Sequence, residues 1–498
     1  MRMSRFHSLT WCTLLVAVVA IVSAQPQSCP RPTITPKVHH LKASVDTVKW
    51  GYYWNQNNPK LYVNSGDTVT VEMVTHMAGD YYDGMVKGDP ALEGIYHWTD
   101  KQAISVRGAT GAGDGVHILT GPIYMCDAEE GDILQVDILD LQPRVNPGNG
   151  KTYGVNGAAR WGYQFRAGFL NNITREISTI YEIITDAQGM PLYAVPDFQF
   201  NVGNGPNTSC VPLNGTYPDA MENLTWSNPN ALYRKVPQPC VDGKQHWTGY
   251  TYPGVITQHP TGNEDYSIRG MYKVPLNYHI GNIGVAPKYP VPVSSVPPGS
   301  HGGNMDNRRI GKGATLYLRV QNKGALLSMG DCHAAQGDSE FDGMGIETSI
   351  NGKFRLTLIK NVTAPPMLKN LNFPLIENKE NYIVQGYAYN HFLTDPTLQP
   401  NPQVQVLAPG SNLDLAFTGA YDNARQWLMD FKNMTEDQVN TFITVMCDYG
   451  TTQVVDGNFG VHLVVPKYAF THSKKSYEPE VVCGTSTKLP KTCYKHSA

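Results

Sequence analysis

ATLYLRVQNKGALLSMGDCHAAQGDSEFDGMGIE, Ala314 to Glu347, holds both the period that points to the fold class and the densest set of chemically active side chains in the protein. Ala314, Leu316, Leu318 and Val320 alternate with Thr315, Tyr317, Arg319 and Gln321, the period of a half-buried strand. The same alternation occurs earlier, as Val69, Val71 and Met73 against Thr68, Thr70 and Glu72, and as Leu134, Val136 and Ile138 against Gln135, Asp137 and Leu139. Both earlier stretches are entered by similar turn signals, Ser65-Gly66-Asp67 and Glu130-Gly131-Asp132, which suggests a sandwich. Phe354, Leu356 and Leu358 repeat the pattern after Asn351-Gly352, a hairpin-turn dipeptide. With 47 glycines and 35 prolines, turns and strands should outweigh helices. One helix is well signalled: Thr435 and Gln438 form a capping-box pattern ahead of Val439, Phe442, Ile443 and Met446. A weaker helical stretch is read at Asn423 to Phe431, and a last strand at Val461 to Val465.

Arg2 and Arg5, the apolar run Leu14 to Val22 and the small pair Ser23-Ala24 read as a signal peptide cut after Ala24. The run is shorter than the roughly 20 residues of a spanning helix, so a secreted product with no membrane partner is expected. Six sequons, at Asn172, Asn207, Asn214, Asn223, Asn361 and Asn433, read as glycosylated surface loops in that setting. Eight cysteines remain after the leader, an even set that suggests disulfides; Cys210 with Cys240 and Cys483 with Cys493 are the local pairs, and Cys332 is expected to stay reduced. Their spacing is not that of a cysteine zinc site. A balance of 39 basic and 42 acidic residues without long charge runs gives no footprint for nucleic acid. The expected organisation is a leader at 1–24, a β-rich unit at 25–186, an Asn/Pro/Gly-rich insertion at 187–262, a core at 263–470 and a loose tail at 471–498.

Five acids and one histidine crowd between Asp331 and Glu347. If Asp331 lies on the strand that contains Leu327, it shares a face with His333, because side chains alternate, and the pair can present carboxylate and imidazole to one ion. An isolated D-x-H most often only lines a polar loop. Here Ala334 and Ala335 adjoin the histidine, and Gly330, Gly337, Gly343 and Gly345 permit close backbone approach, which marks a pocket.

This block, GDCHAAQGDSEFDGMGIE, with HGGNMDNRRIGKGATLYLRVQNKGALLSM before it, resembles the acetamidase/formamidase family. The resemblance extends to NYHIGNIGVAP (Asn277 to Pro287), to GDGVHILTGPIYM (Gly113 to Met125) and to AEEGDILQVDILDL (Ala128 to Leu141); the leader, the insertion and the tail depart from it, and Ser339 stands where the family often has glycine. It implies a mainly β fold, a β-sandwich with a smaller α+β domain, and hydrolysis of a small neutral amide such as formamide or acetamide, with assembly into homo-oligomers. The mechanism expected on that basis has Asp331 and His333 binding a divalent ion, zinc, with help from Asp306, Glu347, His117 or His76. Glu347 or Asp338 would move protons to the departing ammonia, and Asn304 would donate to the amide oxygen. Asp80 is weighed beside His76, while His97 and His279 rank lower. A Cys332 nucleophile is disfavoured because anionic neighbours raise a thiol pKa. No serine-hydrolase elbow is present. The competing reading is a secreted binding glycoprotein on the same scaffold that has lost activity.

Overall fold

The computed structural model describes residues 28–31, 35–96, 117–158, 162–166, 177–201, 234–241, 244–251, 264–290, 292–391, 393, 411–470, 482–483 and 493–494. The four alternating stretches lie side by side. They form the middle of a nine-stranded sheet ordered Val38–Leu41, Thr68–Met73, Ile350–Ile359, Ile133–Pro143, Thr315–Arg319, Leu375–Glu377, Asn381–Tyr387, Gly460–Pro466 and Asp448–Gln453. A second, six-stranded sheet runs Gly302–Asn304, His279–Gly284, Leu327–His333, Ile118–Met125 and Val48–Trp50, with Leu61–Val63 parallel to Ile118–Met125. Across the space between them Val69, Val71, Leu134, Val136, Leu316 and Phe354 meet Ile123, Ile280, Ile283, Leu327 and Met329. Two sheets with one shared apolar interior make the sandwich that the alternation implied.

Helices α1 (Leu413–Lys432) and α2 (Glu436–Met446) cover the outer face of the nine-stranded sheet, where Trp427, Leu428, Val439 and Ile443 pack on Ile133, Val384 and Leu463. The start of α2 is the capping box read from sequence, with Thr435 accepting from the Gln438 N–H and Gln438 reaching back to Thr435. The first helix is longer than its sequence signal because Leu413, Leu415 and Phe417 are exposed and blur its apolar stripe. Among the described residues no helix is long and apolar enough to cross a membrane.

Several expectations change. Strands from 25–186 and 263–470 interleave in both large sheets, so these segments are not separate units; hydrogen bonding between sequence-distant strands joins them. The segment 187–262 opens with the long strand Pro191–Asn201, paired to Ile177–Thr185 in a four-stranded sheet with Tyr153–Ala158 and Val274–Pro275. Asn351-Gly352 is not a turn: it lies inside Ile350–Ile359, beside a register shift, where Gly352 makes room for the Phe354 ring. Among the described residues a disulfide joins Cys29 to Cys126, tying the N-terminal segment to the end of Ile118–Met125, whereas Cys332 and Cys447 are reduced. The side chains of Cys210, Cys240, Cys483 and Cys493 lie outside the described residues, although the backbone sets Cys483 opposite Cys493. Asn361 and Asn433 are exposed; the other four sequons lie outside the described residues.

Candidate metal and acid-base site

Leu327–His333 runs between His279–Gly284 and Ile118–Met125 in the middle of the second sheet and is buried throughout. Leu327, Met329 and Cys332 enter the core, so the alternation slips by one residue between Met329 and Cys332, where Asp331 adopts φ +51°. That slip turns both Asp331 and His333 to the face away from the core. Opposite Asp331 stands Gly281, where a Cβ would lie 2.4 Å from Asp306 Oδ1 and 2.8 Å from Asp331 Oδ2. Only hydrogen fits there. Gly281→Ala is therefore expected to cost about 1–3 kcal/mol of stability by overpacking and to push the two carboxylates apart; denaturant unfolding of the variant checks it, and native stability would contradict this geometry.

Separate elements bring the remaining groups to Asp331. His76 follows Thr68–Met73, and its Nδ1 lies 3.6 Å from Asp331 Oδ1. His117 precedes Ile118–Met125, with Nε2 3.5 Å from Asp331 Oδ2. His333 Nε2 is 3.8 Å from both Asp331 Oδ1 and Asp306 Oδ1. Glu347, held by bridges to Val155 and His333, places Oε1 3.0 Å from His333 Nε2, though without the alignment of a hydrogen bond. Glu340 and Asp456 complete the group beside Asp306.

Hydrogen bonds behind these groups set their orientation. His279 Nδ1 lies 2.6 Å from the Asn277 carbonyl, which can only accept, so Nδ1 carries the hydrogen. Burial, then His333, holds His279 neutral with its pKa down to about 3, leaving a lone pair on Nε2. His333 Nδ1, 3.0 Å away, donates to it, and the longer 3.2 Å contact from His279 Nε2 to Gln336 Oε1 then carries no hydrogen. His333 thus turns Nε2 to the carboxylates. His117 Nδ1 is likewise engaged by Ser295 Oγ at 2.8 Å. Such partners fix the ring nitrogen that faces an ion.

Charge is unevenly placed in this interior. Burial opposes ionisation of Asp331, but His117 and His333 outweigh it and hold its carboxyl far below the usual range. Burial raises Glu347 to about 8 and, with Asp331, raises Asp306 to about 6; Glu340 and Asp456 are pushed well above theirs. Asp306 Oδ1 and Oδ2, Glu340 Oε2, Glu347 Oε2, Asp456 Oδ2, His76 Nδ1 and His333 Nε2 are buried without a hydrogen-bond partner. Unpaired carboxylates on this scale must hold protons or a cation. The triads His76–His117–Asp331 and Asp306–Asp331–His333 each gather ligand atoms within 4.8 Å, and these residues can hold a metal ion.

The residues expected as ligands, Asp331, His333, Asp306, His117 and His76, thus come together, with Glu347 beside them. Asp338 does not join them. Its Oδ1 is taken by Arg308 Nε at 3.0 Å and Arg309 Nη1 at 2.9 Å. Although burial opposes it, Arg309 keeps the Asp338 carboxyl below its ordinary value, so it is a fixed anion and a poor proton carrier. Asn304 is buried on the strand beside His279–Gly284, with Oδ1 bonded to Asn282. Asp80 is occupied by Ser178, and His97 lies outside the described residues. Cys332 packs against Met73 Sδ in the core, and burial with Asp331 and Glu347 drives its thiol pKa well up, which removes it as a nucleophile. Sequence reasoning missed Glu340, Asp456 and the supporting Asn282, and ranked His279, which orients His333, below the ligand candidates. Glu340 carried a signal as one acid of the dense block, whereas Asp456 carried none.

Residues 60–204 and 288–471 match the model of the Acetamidase/Formamidase family. The chain is 28% identical over 266 residues to an acetamidase of Mycolicibacterium smegmatis, covering 50% of this chain and 55% of that protein. It is 28% identical over 279 residues to a formamidase of Methylophilus methylotrophus, covering 54% and 59%. The alignments therefore span little more than half the length of these curated relatives. In fold, the chain is similar to crystal structures of an acetamidase from Bacillus halodurans (TM-score 0.51, 19% identity, 86% of this chain and 98% of that one) and an acetamidase from Yersinia enterocolitica (TM-score 0.51, 19% identity, 88% and 94%). Because the family match takes in more than half of the sequence and includes Asp306, His117, Asp331, His333 and Glu347, the chain belongs to the acetamidase/formamidase family.

Proposed function

We propose that this protein hydrolyses small linear amides, formamide or acetamide, to ammonia and a carboxylate with the help of a divalent ion held by Asp331 and its neighbours. The observation that carries the reading is Asp331 itself, one buried carboxylate within 3.8 Å of three imidazoles drawn from three different strand ends. A mixed nitrogen and oxygen donor set of this kind suits zinc. When bound, such an ion polarises a carbonyl and acidifies water. The residues supply the rest: His333 and His117 present oriented nitrogens, Asp331 supplies the fixed negative charge, and Glu347 manages protons. Glu347, with Oε1 3.0 Å from His333 Nε2 and outside the Asp331 triads, is the carboxyl placed to take a proton from water and hand one to the departing nitrogen. Secretion belongs to the same proposal, supported by the leader and by the Cys29–Cys126 disulfide, a bond favoured in oxidising compartments, as does glycosylation at the exposed Asn361 and Asn433.

The test is ammonia release from formamide, acetamide and propionamide by native, chelator-treated and His333→Ala protein. Release by the native form, with losses of roughly 10²-fold or more in the other two, is expected. Release that survives chelation would remove the ion from the mechanism. No release from any amide by the native protein would give first place to a binding glycoprotein.

A further inference from the structure

A run of buried amides beside the site determines which end of Asn304 faces away from its neighbours. The Ser295 carbonyl can only accept a hydrogen bond, and it lies 2.8 Å from Asn282 Nδ2, so that end of Asn282 is its NH2. The other end, Oδ1, accepts from the Tyr53 hydroxyl at 2.6 Å, a usual length for O–H···O. Two side chains compete for the second hydrogen of Asn282, His117 through Nδ1 and Asn304 through the nearer atom of its amide, both at 3.1 Å. His117 Nδ1 already has Ser295 Oγ at 2.8 Å, which leaves the hydrogen to Asn304. The Asn304 atom that meets Asn282 is therefore its oxygen, and its NH2 is turned away. Tyr53, Asn282 and Asn304 are all buried. Asn282 stands opposite Gly330 on one side and Asn304 on the other, within a strand whose Ile280 and Ile283 enter the core.

We infer that Tyr53 and Asn282 are positioning residues that hold Asn304 with its NH2 presented to the oxygen of the amide substrate. This rests on the amide-hydrolysis reading. When water adds to the carbonyl carbon, the C=O electrons move to oxygen; when the C–N bond breaks, the nitrogen takes a proton and leaves as ammonia, and the carboxyl group remains. A fixed N–H aimed at that oxygen gains strength as charge develops on it. A rotated Asn304 would instead present an acceptor to negative charge, so the orientation decides whether the residue helps or hinders.

Tyr53→Phe removes a single oxygen from this chain. In ammonia-release kinetics it is expected to lower kcat about tenfold with KM little changed, while Asn304→Ala lowers kcat by roughly 10²-fold. In the Asn304→Ala background Tyr53→Phe should cost nothing further, because there is no amide left to orient. Equal losses in both backgrounds, or an unchanged kcat in Tyr53→Phe, overturn the inference while leaving the amidase reading in place. Native protein that releases no ammonia overturns both. Neutron diffraction of the deuterated native protein reads the amides separately from turnover: deuterium on the Asn304 atom nearest Asn282 would overturn the assignment, and its absence there supports it.

Discussion

Asp331→Asn is expected to lower ammonia release by roughly 10³-fold or more, and to weaken zinc binding by the chelator-treated protein at least about tenfold. The substitution keeps the shape of the side chain and removes only its charge. Asp331 Oδ1 faces His76 and His333 and Oδ2 faces His117, so both oxygens are shared among imidazoles. An amide in their place would turn an NH2 toward at least one of these nitrogens, opposing a cation where the carboxylate attracted it. The comparison that gives this result meaning is Asp338→Asn. That residue belongs to the same dense acidic block, yet it is bound by Arg308 and Arg309, and its replacement should leave kcat within a few-fold of native. Calorimetric titration with zinc and the ammonia assay are the measurements. An Asp331→Asn enzyme within about tenfold of native, or equal losses at both positions, would falsify the central place given to Asp331.

Above about pH 7, where the buried neutral histidines no longer take up protons on unfolding, the chelator-treated protein should lose stability as pH rises to 8, and the zinc-loaded protein should not. Burial raises Glu347 from its ordinary 4.5 to about 8, and burial with Asp331 raises Asp306 from 3.8 to about 6. A carboxyl whose folded pKa exceeds its unfolded one binds its proton more tightly in the native state. Its stabilisation is complete below the unfolded pKa and disappears as pH climbs through the folded one. At about 1.4 kcal/mol per unit, Glu347 alone corresponds to on the order of 1 kcal/mol between pH 7 and 8. Glu340 and Asp456 move in the same direction. A bound cation replaces those protons and flattens the dependence. Urea unfolding at pH 7, 7.5 and 8, with and without zinc, measures both slopes. A stripped protein equally stable at pH 7 and 8 would show that the buried acids are paired in some other way.

How much of this was legible depends on what each strand faces. Thr68–Met73, Ile133–Pro143, Thr315–Arg319 and Ile350–Ile359 each have one face on the core and one less buried, so hydrophobic and polar residues alternate and the strands can be read directly. The strands of the site are different. Leu327–His333 and His279–Gly284 are buried along their whole length, and their residues therefore show no period. Much of the candidate site was legible from the motifs of the family, as with Asp331, His333, His117 and Asp306, but the same motifs did not separate Glu340, which joins them, from Asp338, which does not. Asp456 was not, because a single Asp-Gly after a strand looks like any turn, and only the pairing of Asp448–Gln453 with Gly460–Pro466 carries it to Asp306.

By itself, then, the sequence determined the β-rich class, the capped helix α2 and the segment in which the chemistry is concentrated, because those features depend on residues within a few positions of one another. Tertiary structure decided the rest. It set the order of strands in the two sheets, joined Cys29 to Cys126, and assigned Asp338 to a pair of arginines rather than to the site. It also gathered His76, His117, Asp306, Asp331, Glu347 and Asp456 from five separate stretches of chain. Contacts between residues far apart in sequence depend on register and sheet order, and those follow from how the whole apolar interior packs rather than from any local pattern.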